Sequence, residues 1–308
     1  MSSQRANLAG GGETMQLCDA GRIALKSFAY GCSVVLFVPV YFFGETFSSF
    51  ITEWWFTLGL LFVAFVQCSL FLKFCLLSKR RAGFSDYPII WRASFLGSLF
   101  GMALLTVCFG PKFLTGIGLY GMILSFFHFS EYIVTAYINP RFLNLDSFLL
   151  NHSKEYHIAM LASWLEFAVE CYFYPDMKQP GLIAYTGLGL CCSGELLRKC
   201  AMLTAGSNFH HLVRVKREED HKLVTTGVYS VCRHPSYAGW FLWSVGTQLL
   251  LNNLFCTVAY TMVTWVFFRE RVEDEEITLL EFFGSEYADY QKRVVTGLPF
   301  IRGFKADL

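Results

Sequence analysis

Residues 235–268 read PSYAGWFLWSVGTQLLLNNLFCTVAYTMVTWVFF, a stretch without one charged side chain. A helix needs roughly 17–25 largely apolar residues to cross a bilayer, so this stretch is long enough for two spans, one of them marginal. Asn252 and Asn253 form the break between the segments 235–251 and 253–268. The stretch therefore predicts two membrane helices joined as a tight hairpin.

The rest of the chain has the same character. Of its 308 residues, 54% are apolar and only 16% are charged, where an ordinary soluble domain carries roughly 25% charge. The mean hydropathy is +0.42. Six further apolar segments follow the same length rule: 24–43, 54–77, 91–110, 113–138, 157–174 and 181–203. We predict an all-α integral membrane protein with about eight transmembrane helices.

The charge content excludes some classes of protein, and the positions of the charges indicate how the chain is oriented in the membrane. A net charge of +1 provides no field to attract nucleic acid, and the composition opposes disorder and coiled coil. With a cytosolic N-terminal tail at 1–23, only Lys112 and Lys178 of the 25 Lys and Arg fall on the opposite side. Cytosolic loops of membrane proteins are rich in Lys and Arg, so we expect both termini in the cytosol.

Two polar blocks flank the hairpin, at 207–237 and 268–276. The last third of the chain, from residue 201, holds 23 of the 49 charged residues, so we expect the chemistry there. A hairpin returns its two ends to one side of the membrane, which brings both blocks to the same cytosolic mouth. Arg233 and His234 precede Pro235 at a helix start, a position that favours anionic or polar ligand groups.

Several ionisable residues fall in or near predicted spans, where an unpaired charge is costly. Either they line a polar cavity or they pair between helices, and the sequence leaves both open. Glu166 shares a helix face with Glu170, as does Glu195 with Lys199. The full set is His128, Glu131, Glu166, Glu170, Glu195 and Arg198.

Other patterns have structural interpretations. Gly187, Gly189 and Gly194 lie inside an apolar helix without a strand before them, so we expect close helix packing and no nucleotide loop. The 11 Cys mostly occupy apolar runs, which is typical of buried thiols and not of a disulfide framework. The seven His show no metal-ligand spacing, so we expect no metal site.

The two blocks carry a family resemblance. From about residue 128 to the end, the chain closely resembles the isoprenylcysteine carboxyl methyltransferases, membrane enzymes that methylate the C-terminal prenylcysteine of processed CaaX proteins. The densest stretches are HFSEY (128–132), DSFLLNHS (146–153), TAGSNF (204–209), LVTTGVY (223–229), RHPSYAGW (233–240), FFRERVEDEEI (267–277) and TGLPF (296–300).

The resemblance implies S-adenosylmethionine as cofactor, bound at the cytosolic face by the loop after span six and the C-terminal helix. Arg271 is the implied substrate-binding and catalytic residue. Arg214 stands where relatives have Gln, so its part in cofactor binding is open. The other implied cofactor contacts are His221, Lys222, Leu223, Val224, Tyr229, His234, Pro235, Ser236, Tyr237 and Glu275.

The resemblance also implies an organisation and a location. Residues 1–23 are expected to form the tail, 24–127 the N-terminal transmembrane helices and 128–308 the catalytic methyltransferase region. The implied location is the endoplasmic reticulum membrane. The implied partners are CaaX proteins, such as small GTPases of the Ras type and lamins, together with membrane lipid.

The chemistry agrees with this assignment. A C-terminal carboxylate has a pKa near 3.5 and is ionised at pH 7, so it needs no general base. The sequence shows no obvious Asp–His or Glu–His dyad, which agrees with a reaction that needs no general base. Two alternatives use a related scaffold, a phospholipid N-methyltransferase and an NADPH-dependent sterol-type reductase. A third is a transporter or channel, which would carry ionisable residues at mid-membrane in both halves.

Overall fold

The structure, a computed structural model, describes residues 16–37, 86–151, 153–213, 217 and 221–304. Within these ranges the fold is helical, and the backbone pairing of Cys232 with Val295 is an isolated bridge. The predicted span 54–77, the end of the predicted span 24–43 and Arg214 lie outside the described residues.

Eight α-helices occur in the described ranges, and the last of them, Ser285–Arg293, is polar and corresponds to no predicted apolar segment. They are α1 (Asp19–Cys32), α2 (Tyr87–Phe109), α3 (Thr115–Ile138), α4 (Lys154–Phe173), α5 (Leu182–Ala205), α6 (Pro235–Leu250), α7 (Leu254–Phe283) and α8 (Ser285–Arg293). By length and composition, Tyr87–Phe109 and Lys112–Ile138 are able to cross a membrane. The all-helical class is confirmed, and the number of spans remains a prediction.

The hairpin of α6 and α7 forms as expected. Pro235 opens α6 at a position where its missing N–H costs no hydrogen bond. Asn252 adopts a left-handed conformation, with φ of 52°, and lets the chain reverse. The helix α7 then continues beyond the predicted end of the span at residue 268, through Arg269 and the acidic residues after it, to Phe283.

Two carboxylates predicted to lie in the membrane fasten this hairpin. Both oxygens of Glu166 accept from backbone N–H groups at the start of α7, those of Phe255 and Cys256, each at 2.7 Å. A carboxylate at a helix N-terminus satisfies free donors and the helix dipole. Glu170 lies 2.5 Å from the buried amine of Lys178. Both carboxylates therefore join helices, which settles their role.

The amine of Lys178 completes this junction. It donates to the carbonyls of Leu251 and Asn252 at 3.0 and 3.1 Å and to Oδ1 of Asn253 at 3.0 Å. A buried ammonium is tolerated only when paired and hydrogen-bonded, and here four acceptors surround it. The hairpin turn is therefore fixed to the chain between α4 and α5.

Glycines bring α5 and α6 into backbone contact. A Cβ on Gly194 would lie 2.4 Å from the carbonyl oxygen of Gly239, and one on Gly187 would lie 2.4 Å from the backbone nitrogen of Leu250. This confirms close packing at those two positions. Gly189 differs from the prediction, because a Cβ there would meet no atom within 4 Å.

We expect Gly194→Ala to lower the thermal midpoint in detergent, with overpacking costing about 1–3 kcal/mol. Gly189→Ala is the matched control on the same helix, and its added methyl meets open space. Since Ala favours a helix over Gly by roughly 1 kcal/mol, the control should keep or raise the midpoint. Equal midpoints for the two variants would show that this glycine contact does not limit stability.

Candidate active site

Two adjoining cavities open where the start of α6, the polar half of α7 and the loop after α5 meet. We call them the arginine cavity and the glutamate cavity, and Tyr237 and His210 line both. The arginine cavity is also lined by Arg198, Phe209, His211, Ser236, Trp240, Phe267, Phe268 and Arg271. The glutamate cavity is also lined by Asn208, Leu212, Val213, His221, Glu275, Thr278, Leu279 and Phe282.

Arg271 presents part of its guanidinium to the first cavity. Its Nε donates to the hydroxyl of Tyr237 at 3.2 Å, and its Nη2 donates to the backbone carbonyl of His211 at 2.6 Å. Its Nη1 donates to no atom among the described residues. These contacts replace the surface ion pair with Glu275 that the four-residue spacing alone would suggest, and they aim a cation into the cavity.

Glu275 faces the second cavity, one helical turn further along α7. Its Oε2 is buried and has no hydrogen-bond partner among the described residues. Nδ1 of His234 lies 3.7 Å from this oxygen. An unsatisfied buried carboxylate oxygen is costly, so this position favours a donor from a ligand.

His234 lies behind the cavities, between two carboxylates. Its Nε2 lies 3.1 Å from Oε1 of Glu276, and its ring stacks on Tyr237 with centroids 5.5 Å apart. Burial alone would lower the pKa of His234, but the carboxylates of Glu275 and Glu276 raise it to about 9. The expectation that no Glu–His pair exists is therefore wrong. The sequence does not reveal the pair, because its two residues lie about 40 positions apart.

The second carboxylate, Glu276, is a fully buried acceptor that ties the C-terminal segment to α7. Its Oε1 accepts from Arg233 Nε at 2.8 Å and from the hydroxyl of Tyr287 at 3.1 Å. Its Oε2 accepts from Gln291 at 3.0 Å. Arg233 also donates to the carbonyl of Arg302 at 3.0 Å. The expectation that Arg233 faces a ligand at the α6 N-terminus is therefore wrong, since its donors serve the protein.

The implied contact residues divide into two groups. His221, Ser236, Tyr237, Arg271 and Glu275 line the cavities. The others do not line either cavity, and Lys222 contributes only its backbone N–H, which donates to Asn208 Oδ1 at 2.9 Å. Those others are Lys222, Leu223, Val224, Tyr229, His234 and Pro235.

Sequence reasoning missed several lining residues. Thr278 and Phe282 continue the helix face of Arg271 and Glu275 at spacings of three and four, so helical periodicity would have found them. His211 has no such pattern around it. Of the remaining open residues in the spans, Glu131 pairs between helices, with Arg198 at 2.7 Å. Glu195 pairs with Lys199 within α5 at 3.3 Å and accepts from Oγ of Ser130 on α3 at 2.7 Å.

The chain matches known proteins over most of its length. The profile of the Isoprenylcysteine carboxyl methyltransferase family matches residues 187–281. Protein-S-isoprenylcysteine O-methyltransferase of Xenopus laevis is 47% identical over 293 residues, which cover 95% of this chain and 98% of that protein. The chain belongs to the isoprenylcysteine carboxyl methyltransferase family. This confirms the resemblance inferred from its sequence blocks.

Two further relatives agree with this membership. The protein-S-isoprenylcysteine O-methyltransferase of Homo sapiens is 54% identical over 222 residues, covering 72% of this chain and 78% of that protein. The solved structure of a eukaryotic intramembrane Ras methyltransferase of this family matches with a TM-score of 0.84 and 42% identity. That match covers 94% of this chain and 100% of the other.

We expect the stability of this methyltransferase-family chain to fall as pH rises from about 6.5 to 9. The raised pKa of His234 contributes stability that is complete below its unfolded value of 6.5 and is lost through about 9. The pKa of Glu275 and that of Glu276 are lowered by His234 despite burial, so both stay ionised over this range. The measurement is the thermal midpoint in detergent at each pH.

His234→Gln should flatten this dependence by on the order of 2–3 kcal/mol. His157→Gln is the matched control, because His157 contacts the backbone carbonyls of Ser153 and Leu150, away from the cavities. The control should keep the dependence of the unmodified protein. A His234→Gln variant with an unchanged pH dependence would contradict the assignment of a charged imidazole.

Proposed function

We propose that this chain transfers the methyl group of S-adenosylmethionine to the C-terminal carboxylate of a prenylated cysteine, forming a methyl ester. Its family and its relatives are isoprenylcysteine carboxyl methyltransferases, and the chain is an enzyme of that class. The observation that carries the residue assignments is the pair of adjoining cavities, with a cation in one and an unsatisfied carboxylate in the other.

The arginine cavity suits the acceptor. Nη1 of Arg271 is available to hold a carboxylate, and guanidinium donors match carboxylate oxygens in a planar arrangement. The aromatic walls of Trp240, Phe267 and Phe268 suit an apolar prenyl chain. The carboxylate is ionised at neutral pH and needs no base. His234, charged below a pKa of about 9, is not available as one.

The glutamate cavity suits the donor. Oε2 of Glu275 would accept from the ammonium or the ribose hydroxyls of S-adenosylmethionine, which gives this orphaned oxygen a partner. His221 and Phe282 lie in edge-to-face contact at the wall, with ring centroids 5.7 Å apart, and offer apolar surface to a flat ring. When bound, S-adenosylmethionine supplies a methyl group activated by a positive sulfonium.

Tyr237 lies between the two cavities and orients Arg271 through its hydroxyl. This arrangement holds acceptor and donor side by side, and such positioning supplies several kcal/mol of rate acceleration. Methyl transfer would neutralise the acceptor carboxylate that Arg271 would hold. A site sheltered from water, with aromatic walls, favours that neutralisation.

The finer assignments follow the same proposal. The substrates are CaaX proteins such as small GTPases of the Ras type and lamins, and the location is the endoplasmic reticulum membrane with both termini in the cytosol. The chain crosses the bilayer about eight times. The guanidinium of Arg271 favours a carboxylate acceptor over a neutral amine.

We expect Arg271→Ala to nearly abolish methyl transfer while the protein folds and binds S-adenosylmethionine, because only the acceptor loses its cation. Arg271→Lys should restore little activity, since an ammonium keeps the charge but lacks the planar fork. The measurement is binding of a prenylcysteine carboxylate and its neutral amide analogue, with cofactor binding, in detergent or nanodiscs.

The amide analogue is the matched control for this prediction, because its binding should not depend on Arg271. A variant that loses cofactor binding but keeps the carboxylate preference would place Arg271 in the cofactor site. Full activity of Arg271→Lys would show that charge alone is sufficient.

We expect Glu275→Gln to weaken S-adenosylmethionine binding more than prenylcysteine binding. Loss of a charged hydrogen bond costs about 1.5–3 kcal/mol, or roughly 10- to 150-fold in affinity. Isothermal titration with each ligand measures both effects. Glu273→Gln is the control on the same helix, because Glu273 pairs with Arg269 at 3.3 Å on the exposed face. Equal cofactor affinity for the two variants would remove Glu275 from the site.

A further inference from the structure

A buried carboxylate on α3 lies directly behind the arginine cavity. Glu131 is fully buried and receives four donors from two other segments. Nε and Nη2 of Arg198 donate to its two oxygens at 2.7 and 2.8 Å. Nε2 of His211 lies 2.8 Å from Oε2, and the amine of Lys199 contacts Oε1. This charge joins α3 to α5 and to the loop after α5.

The first route from Glu131 to the site runs through Arg198. With its other two nitrogens held by Glu131, the Nη1 of Arg198 donates to Oγ of Ser236 at 2.6 Å. The guanidinium carbon also lies 4.8 Å from the ring of Trp240. Ser236 and Trp240 are both in the first two turns of α6 and both line the arginine cavity. Glu131 therefore fixes how α5 supports that wall.

The second route runs through His211. The same residue that binds Glu131 with its ring accepts Nη2 of Arg271 on its backbone carbonyl, at 2.6 Å. A shift of the imidazole would move that carbonyl and rotate the guanidinium of Arg271. The direction of Nη1, the group assigned to the acceptor carboxylate, depends on this contact.

We propose that Glu131 is a positioning residue for carboxyl methyl transfer, which orients Arg271 through His211 and the α6 wall through Arg198. The inference rests on the proposed role of Arg271. It assigns a function to one of the intramembrane carboxylates, while Glu166 and Glu170 fasten the hairpin far from the cavities. Glu131 lines neither the arginine cavity nor the glutamate cavity.

The variant Glu131→Gln removes the charge at nearly constant shape. One oxygen becomes an amide NH₂, which meets donors of Arg198, Lys199 or His211 whichever way the amide turns. The guanidinium of Arg198 loses its bidentate partner, and the support of His211 weakens. Lys199 keeps a carboxylate within 3.3 Å in Glu195, so the network retains one ion pair.

The experiment compares Glu131→Gln with Glu170→Gln. Glu170 is also an intramembrane carboxylate paired with a buried cation, but it lies at the hairpin end. Each variant is purified in nanodiscs. The readouts are the thermal midpoint, the S-adenosylmethionine Kd, kcat and KM with N-acetyl-S-farnesylcysteine, and the ratio of affinities for the carboxylate and amide analogues. The ratio is the readout that a merely structural role would not change.

For Glu131→Gln we expect kcat to fall about 10- to 100-fold and the carboxylate preference to fall by about tenfold or more. Cofactor affinity should stay within about threefold, because Glu275 is not in the network. Glu170→Gln should lower the thermal midpoint but keep the carboxylate preference. A Glu131→Gln variant whose kcat and carboxylate preference match those of Glu170→Gln would overturn the inference. So would a loss of S-adenosylmethionine affinity as large as the loss of carboxylate preference.

Glu131→Asp covers the case in which the Gln variant fails to fold. The Asp variant keeps the charge but is too short to reach both Arg198 and His211, so kcat and the preference should fall in a folded protein that still binds S-adenosylmethionine. Unmodified kcat and preference in Glu131→Asp would overturn the inference. A protein that shows no carboxylate preference before any mutation would instead contradict the role of Arg271.

Discussion

Arg271 and Glu275 lie one turn apart on the same face of α7, and this spacing determines the geometry of the whole site. Four residues of a helix rise about 6 Å, so the cation for the acceptor and the carboxylate for the donor are held a fixed distance apart. The arrangement requires α7 to continue without a break from the apolar hairpin to Phe283. A chain break near residue 268 would separate the two cavities.

Charged side chains, half-buried in Glu166 and buried in Lys178 and Glu276, hold that helix at both ends. At its start, Glu166 caps the first turn and Lys178 binds the hairpin turn. Towards its end, Glu276 ties α7 to Arg233 and to the C-terminal segment. Each charge is expensive to bury alone and becomes acceptable only through its partners, so the ion pairs specify one arrangement of the helices. The positions of the site residues therefore depend on how these charges are paired.

The sequence predicted the parts that depend on local periodicity. The hairpin and Pro235 at the start of α6 both follow from spacing along one segment. The pairing of Glu276 with His234 and that of Glu131 with His211 could not be predicted, because hydrogen bonds between residues 42 and 80 positions apart leave no local pattern. Arg233 shows the same limit. Its position suggested a ligand contact, while a carboxylate 43 residues away takes its donor.

The central claim is that the two cavities transfer a methyl group to a carboxylate. The most direct measurement supplies membranes that contain the chain with methyl-labelled S-adenosylmethionine and N-acetyl-S-farnesylcysteine, then treats the product with base. A methyl ester releases its label as volatile methanol, so we predict base-labile, volatile label that depends on the farnesylcysteine and is absent with its amide. Label in a base-stable product, or label formed equally with the amide, would contradict carboxyl methylation at this site.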